Sequence, residues 1–348
     1  MPVKRSRRRL VWAGIITAAS LAVALSSCSS AQDTAASAIN TVSPPASTGD
    51  FVAPRAVPEG MGSGAQDGEF PRTVTHFQGE TTLDAQPENV VVISTGQADA
   101  LLSVGVVPAG STRGDGADLI PPYLLDTYPQ YRTELDSVVD AGGRFTPNFE
   151  AIANLAPDLI LMNTAGKDAD TLFGQLSEIA PTVATQGTGV YWKQDFLLAA
   201  DALGRTEQAQ SLLDEFHSDA AVVGASLEAA PTVSFTRKNG DRLRIFGVPS
   251  FTGSIAEDAG LARPASQQFD ETSRDISEEE LPVADADRLF YGVQGGDPST
   301  LTQTPLWPEL QAVRTGRAIA VDDDTFYLNT GPTAARQVLT VLEDTVQQ

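Results

Sequence analysis

From residue 89 onward the chain alternates short apolar runs with stretches of helical spacing. Asn89-Val90-Val91-Val92-Ile93 is an unbroken β-branched run bounded by polar residues, which predicts a buried strand. Residues 97–104 place Leu101, Leu102 and Val104 inward on a helix that stops at Gly105. The rhythm continues with strands expected over 106–110, 158–162 and 181–184, and helices over 149–155 and 168–179. Such alternation predicts βα units and a mainly parallel sheet covered on both faces.

The rhythm breaks at 191–227, a run of helix formers interrupted only at Gly204-Arg205. Ala209, Leu212, Leu213, Phe216, Ala220, Val223 and Leu227 share one helical face. Alternation resumes with strands over 232–236, 243–246, 289–293 and 318–321, and helices over 253–259, 278–285, 305–312 and 333–346. The expected α/β architecture is a first lobe over 71–190, a linking helix over 191–228 and a second lobe over 229–348. A cleft between two lobes is the default ligand site.

Residues 29–70 are Ser, Ala, Thr, Pro and Gly with few large apolar side chains. Such a segment buries too little surface to offset its ordering entropy, so 28–70 is expected to be a flexible tether. Ahead of it, Lys4, Arg5 and Arg7 to Arg9 precede an apolar run over 10–25 and then Leu25-Ser26-Ser27-Cys28. A basic head, an apolar core and small residues at the cut make an export signal. The core is shorter than the roughly 20 residues that span a bilayer. The Leu-Ser-Ser-Cys ending resembles the bacterial lipobox, which implies removal of 1–27 and a lipid on Cys28, the sole cysteine. The alternatives are an ordinary secretory signal and an uncleaved anchor.

Charge narrows the function. Residues 1–27 hold five of the 23 basic residues and none of the 45 acidic ones, leaving a net charge near −27. Nucleic acid is excluded as a partner on that balance, because phosphate binding needs a basic patch. Two histidines, His76 and His217, are too few to suggest a protein-ligated metal. No phosphate loop and no nucleophile elbow is present, so an enzyme is not expected.

Five segments then resemble one family in order and at natural spacing. They are Pro147-Asn148-Phe149-Glu150 running on to Ile160, Ile179-Ala180-Pro181-Thr182-Val183, Ser250-Phe251-Thr252-Gly253 running on to Pro264, Ile276-Ser277-Glu278-Glu279-Glu280-Leu281 running on to Asp287, and Leu306-Trp307-Pro308-Glu309 running on to Arg317. The chain resembles the substrate-binding lipoproteins of ABC importers for ferric siderophores, haem and vitamin B12, from about Val90 to Leu342. The resemblance implies two lobes joined by a single long helix, and a monomer held at the outer face of the membrane through Cys28. It also implies a ferric siderophore as ligand, delivered to an ABC permease with its cytoplasmic ATPase. Iron would travel inside the siderophore, with no cofactor of the protein's own. Haem or cobalamin binding, or an envelope sensor reusing the fold, are the alternatives.

By the same resemblance, Arg113, Lys167, Arg237 and Tyr327 face the cleft at or after strand ends; Tyr191 and Trp192 near the crossover helix, and Phe251 opening the helix after the second-lobe hairpin, are the further expected contacts. The alternative for each basic residue is a surface ion pair, and for each aromatic a core position. Arg144 and Arg274 sit on nearby loops but are not among the expected contacts. Glu150 in the first lobe and Glu279 in the second match carboxylates that dock onto the permease, with Glu278 and Glu280 competing for the latter role. A cleft with three or more basic residues would favour an anionic chelate; the residues alone do not choose the siderophore class.

Overall fold

The first lobe is a six-stranded sheet whose central strands are the apolar runs of the sequence. The computed structural model describes residues 52–114, 116–227 and 230–346, which fall in one compact unit. The export signal, Cys28 and the tether up to residue 51 lie outside the described residues. The strands in chain order are β1 Arg72–His76, β2 Gly79–Leu83, β3 Val90–Val92, β4 Gly110–Arg113, β5 Val139–Gly143, β6 Thr146–Pro147, β7 Leu159–Asn163, β8 Thr182–Thr185, β9 Val233–Asn239, β10 Arg242–Phe246, β11 Ser273–Ile276, β12 Arg288–Val293 and β13 Ala318–Ala320. Five helices build the walls and supports of the cleft: α1 Gln97–Ser103, α2 Trp192–Ala202, α3 Thr206–Ala225, α4 Phe251–Asp258 and α5 Pro332–Val346.

The first-lobe sheet has the order β6-β5-β4-β3-β7-β8 and is parallel except for β5 with β6. Val90, Val91 and Val92 are fully buried, as a strand covered on both faces requires. The strand expected over 106–110 begins instead at Gly110. Pro108 has no N–H to give the ladder, and pairing is taken up only around Ala109, whose N–H donates to the Val90 carbonyl.

The second-lobe sheet, β11-β10-β9-β12-β13, corrects the expectation of a mainly parallel sheet there. Its β11-β10-β9 half is antiparallel and its β9-β12-β13 half parallel. The turn at Gly240-Asp241 is too short for the crossover that a parallel pair needs, so β9 and β10 must run antiparallel. The helices expected over 278–285 and 305–312 are 3₁₀ or broken: Pro282 lies inside the first, and the second divides into Trp307–Glu309 and Gln311–Arg314.

The linking run is two helices meeting at a corner, not one continuous rod. Gly204 ends α2 in the left-handed region at φ 69°, and a side chain there would lie 2.8 Å from the Phe70 ring. α2 packs on β1, β8 and α1, whereas α3 packs on α4 and α5. The apolar face read for α3 is buried at Ala209, Leu213, Phe216, Ala220 and Val223.

The end of the expected tether is folded. Ala53 is buried, and Arg55 reaches Asp258 at 2.6 Å. Gly62 pairs with Thr75 beside β1, while the Ser63 N–H and hydroxyl both donate to Asp201 at 2.6 Å. Small polar residues here gain their order from partners 13 to 203 positions away along the chain, which composition does not reveal. The β1–β2 hairpin is likewise absent from the sequence reading. It lies on β8, where the Thr81 hydroxyl donates to the Thr182 carbonyl at 2.7 Å.

Candidate functional site

The cleft opens where the first-lobe sheet changes direction. The chain leaves β3 toward β4 on one side and β7 toward β8 on the other, so the loops after β3 and β7 splay apart. Ligands of open α/β sheets settle at such a switch point, beyond the carboxyl ends of the strands. Here the loops at Ser94–Gly96 and Asn163–Lys167 line a cavity of about 730 Å³, closed from the second lobe by Tyr327, Leu328 and Thr330. The two lobes meet closely at its edge: a side chain on Gly96 would lie 2.8 Å from the Thr330 backbone nitrogen.

Of the expected contacts, Lys167, Trp192 and Tyr327 line this cavity. Lys167 is exposed on its loop and has no partner among the described residues. Trp192 forms part of the floor but is nearly wholly buried. Its indole N–H donates to Ser254 at 3.1 Å, and its ring meets Phe216 and Phe251 edge-on at 5.4 and 5.6 Å. Tyr327 offers its ring rather than its hydroxyl, which donates to the Phe290 carbonyl at 3.1 Å. Burial of the hydroxyl, with the Asp323 carboxylate nearby, pushes that phenol well above its ordinary range.

The other four stand outside the lining. Arg113 is half exposed, and its Nε donates to Asp140 at 2.7 Å. Asp140 also accepts from the Gly142 N–H at 2.9 Å, and the two donors, Arg113 foremost, hold that carboxylate below its usual range. Arg237 is buried in a two-pronged pair with Asp323, Nε to Oδ1 at 2.7 Å and Nη2 to Oδ2 at 2.6 Å. Tyr191 ends a 3₁₀ turn beside the cavity without lining it, and Phe251 is a core residue beneath Trp192. The ion-pair and core alternatives therefore describe Arg113, Arg237 and Phe251.

The folded cleft adds residues that were not among the expected contacts. The two-residue turn between β5 and β6 presents Arg144 and Phe145 to the cavity. The Arg144 guanidinium lies 4.3 Å over the Phe145 ring, which is 59% exposed, and its Nε is buried without a partner. Asp195 on α2 accepts from the N–H groups of Gly187 and Gln186 at 2.7 and 3.0 Å, and burial pushes its carboxyl up to about 6. The signal for the Arg144 turn was present in Gly142-Gly143-Arg144-Phe145, but its place at the cleft depends on the sheet order. Arg274 is held by Glu271 at 2.6 Å, away from the lining.

One histidine serves the scaffold. His76 is buried on β1 and shares a hydrogen bond with the Thr81 hydroxyl at 2.9 Å, with burial lowering it to about 4. Among the described residues no three His, Cys, Asp or Glu side chains converge to hold a metal ion.

Both docking candidates are exposed, one on each lobe. Glu150 lies in the first turn of the helix Phe149–Asn154, which Asn148 caps through the Ala151 N–H. In the second lobe, Glu278 pairs with Lys238 at 2.8 Å, and Glu280 closes a capping box with Ser277. Glu279 is left without a partner among the described residues. Two of the three competing glutamates are therefore already engaged.

Comparison with known proteins agrees with this geometry. Residues 90–325 match the family described as Periplasmic binding protein. The probable siderophore-binding lipoprotein YfiY of Bacillus subtilis (strain 168) is 31% identical over 290 residues, covering 78% of this chain and 86% of that protein. The Fe(3+)-citrate-binding protein YfmC of the same organism is 25% identical over 291 residues, covering 80% and 88%. The crystal structure of Staphylococcus aureus SirA complexed with staphyloferrin B superposes with a TM-score of 0.67 at 25% identity, covering 79% of this chain and 98% of that one.

Proposed function

The chain belongs to the periplasmic binding protein family, as a substrate-binding protein and not an enzyme, and we propose that its cleft captures a ferric siderophore for an ABC importer. One observation carries the ligand reading. The cleft offers two cations without carboxylate partners, Arg144 and Lys167, beside the exposed Phe145 ring and the Tyr327 ring, but no cluster of metal-ligating side chains among the described residues. Such a surface suits iron that arrives already wrapped in oxygen donors, since charge, aromatic faces and hydrogen bonds then suffice. The names of YfiY and YfmC, a siderophore-binding lipoprotein and a ferric citrate binder, support the same reading.

Two exposed carboxylates support the delivery reading. Glu150 and Glu279, one on each lobe, let a permease contact both lobes at once through complementary charge. No helix among the described residues is long and apolar enough to cross a membrane. Attachment is assigned to a lipid on Cys28, which holds a monomeric binder at the outer face of the membrane and raises its concentration near the permease.

Tryptophan fluorescence titration tests the ligand assignment, because Trp192 forms part of the cleft floor. Quenching by a ferric siderophore is the expected result. Quenching by haem or cobalamin alone would reassign the ligand, and no response to any of them would remove the binding role.

A further inference from the structure

We propose that the cleft is built for a ferric chelate of low net charge, neutral to singly negative, with hydroxamate or mixed hydroxamate and carboxylate donors, and that it discriminates against a trianionic tris-catecholate. This rests on the siderophore reading and turns on which charges the folded cleft leaves available.

Two side chains in the lining are cationic, Arg144 and Lys167, and both come from the first lobe. The same lining holds two carboxylates, Asp168 beside Lys167 and Asp195 on α2. Positive and negative groups are therefore equal in number along the wall. The two arginines expected among the cleft contacts are already neutralised by partners: Asp323 grips Arg237 through both oxygens, and Asp140 holds Arg113. Arg244 is paired in register with Arg237 but lies outside the lining.

The surroundings of the second-lobe wall are acidic. Leu328 separates the cleft from a second cavity lined by Asp118, Asp322 and Asp324, where Asp323 is already matched by Arg237. A chelate with three negative charges would thus meet two cations on one wall and a field of carboxylates behind the other, and like charges brought together oppose binding. A neutral or singly negative chelate escapes that repulsion. Arg144 and Lys167 then donate to its carbonyl or carboxylate oxygens, while Phe145, Tyr327 and Leu328 cover its apolar backbone.

The test is a fluorescence titration of the purified lipoprotein with three probes at one ionic strength: a neutral ferric trihydroxamate, a singly negative ferric dihydroxamate–citrate chelate and a trianionic ferric tris-catecholate. At least one of the first two is expected to bind about tenfold tighter than the third. Equal or tighter binding of the tris-catecholate overturns the proposal. Binding of none of the three, nor of ferric citrate added as a fourth probe, removes the siderophore reading itself, a result distinct from a reversed preference. Asp118→Asn and Asp322→Asn each remove one of the exposed charges behind the second-lobe wall and touch none of the cleft lining. Each is expected to strengthen tris-catecholate binding about threefold or more while leaving the neutral trihydroxamate unchanged. An unchanged ratio in both variants counts against the charge argument.

Discussion

Asp99 on α1 accepts hydrogen bonds from the backbone N–H groups of Thr333 and Ala334, at 2.9 Å each, and so caps the final helix of the chain from the first lobe. The Tyr123 hydroxyl donates to the same carboxylate at 2.9 Å. The group is buried, and α5 packs on α1, α3 and α4, so this one side chain ties the first lobe to the helix that braces the second. The N–H groups at a helix start have no partner within the helix, and here a residue more than 200 positions away supplies it.

Asp99→Ala should destabilise the protein by about 3 kcal/mol, because it leaves two buried N–H groups and a buried hydroxyl without an acceptor. Asp99→Asn keeps one acceptor oxygen and should cost about half as much. Urea unfolding midpoints check both, and equal losses for the two would argue against the capping role.

The basic residues should separate into two kinds. Arg144→Ala and Lys167→Ala should each weaken ferric siderophore binding by about 1–2 kcal/mol with little change in melting temperature. Arg237→Ala should instead destabilise the fold by about 3 kcal/mol, since it strands the Asp323 carboxylate in a mostly buried position. Paired titration and thermal melts distinguish the outcomes. A stable Arg237→Ala protein that has lost binding would restore Arg237 as a direct contact.

Capture and delivery should also come apart. Glu150→Ala, Glu279→Ala and Cys28→Ala should keep the siderophore affinity of the parent protein while lowering uptake by cells. Glu278→Ala and Glu280→Ala should lower uptake less, because those carboxylates are engaged by Lys238 and Ser277. Iron uptake measured beside in vitro affinity checks this, and lost affinity in Glu150→Ala would contradict docking.

His76 makes stability depend on pH. Its ring accepts the Gln78 N–H at Nδ1, and burial lowers it to about 4 from an ordinary 6.5. The unfolded chain therefore binds the extra proton first, and this part of the stability is lost as pH falls from about 6.5 to about 4. Asp195 and Asp324, both raised to about 6, act in the opposite sense: the native state holds their protons first, so acid favours it as pH falls through 6. A difference between two proteins isolates the histidine. Wild type should lose about 1–2 kcal/mol more than His76→Gln between about pH 7 and about pH 4.5 in urea unfolding. Parallel pH profiles would show that His76 does not carry this dependence.

Much of this architecture is written in local pattern. The runs at Val90-Val91-Val92 and Leu159-Ile160-Leu161 became central strands, and the face from Ala209 to Val223 became the buried side of α3. These readings hold because a buried strand or an amphipathic helix declares itself within a few residues of chain. The corner at Gly204 was visible as an interruption, and its left-handed backbone turned that interruption into a change of direction.

The cleft's chemistry was not local in that way. Arg237 and Asp323 lie 86 residues apart, and Arg113 and Asp140 lie 27 apart, so nothing near either arginine announces that its charge is already matched. Residues 53–70 have the composition of a tether, yet Asp201 and Asp258 hold them against the folded body. The order of residues along the chain was enough for the two α/β halves and the crossover between them, because each rests on neighbours in the chain. Packing in three dimensions selected which cations remain available in the cleft and which glutamate of three stays unengaged, because charge pairing is set by distance in space and not by separation in sequence.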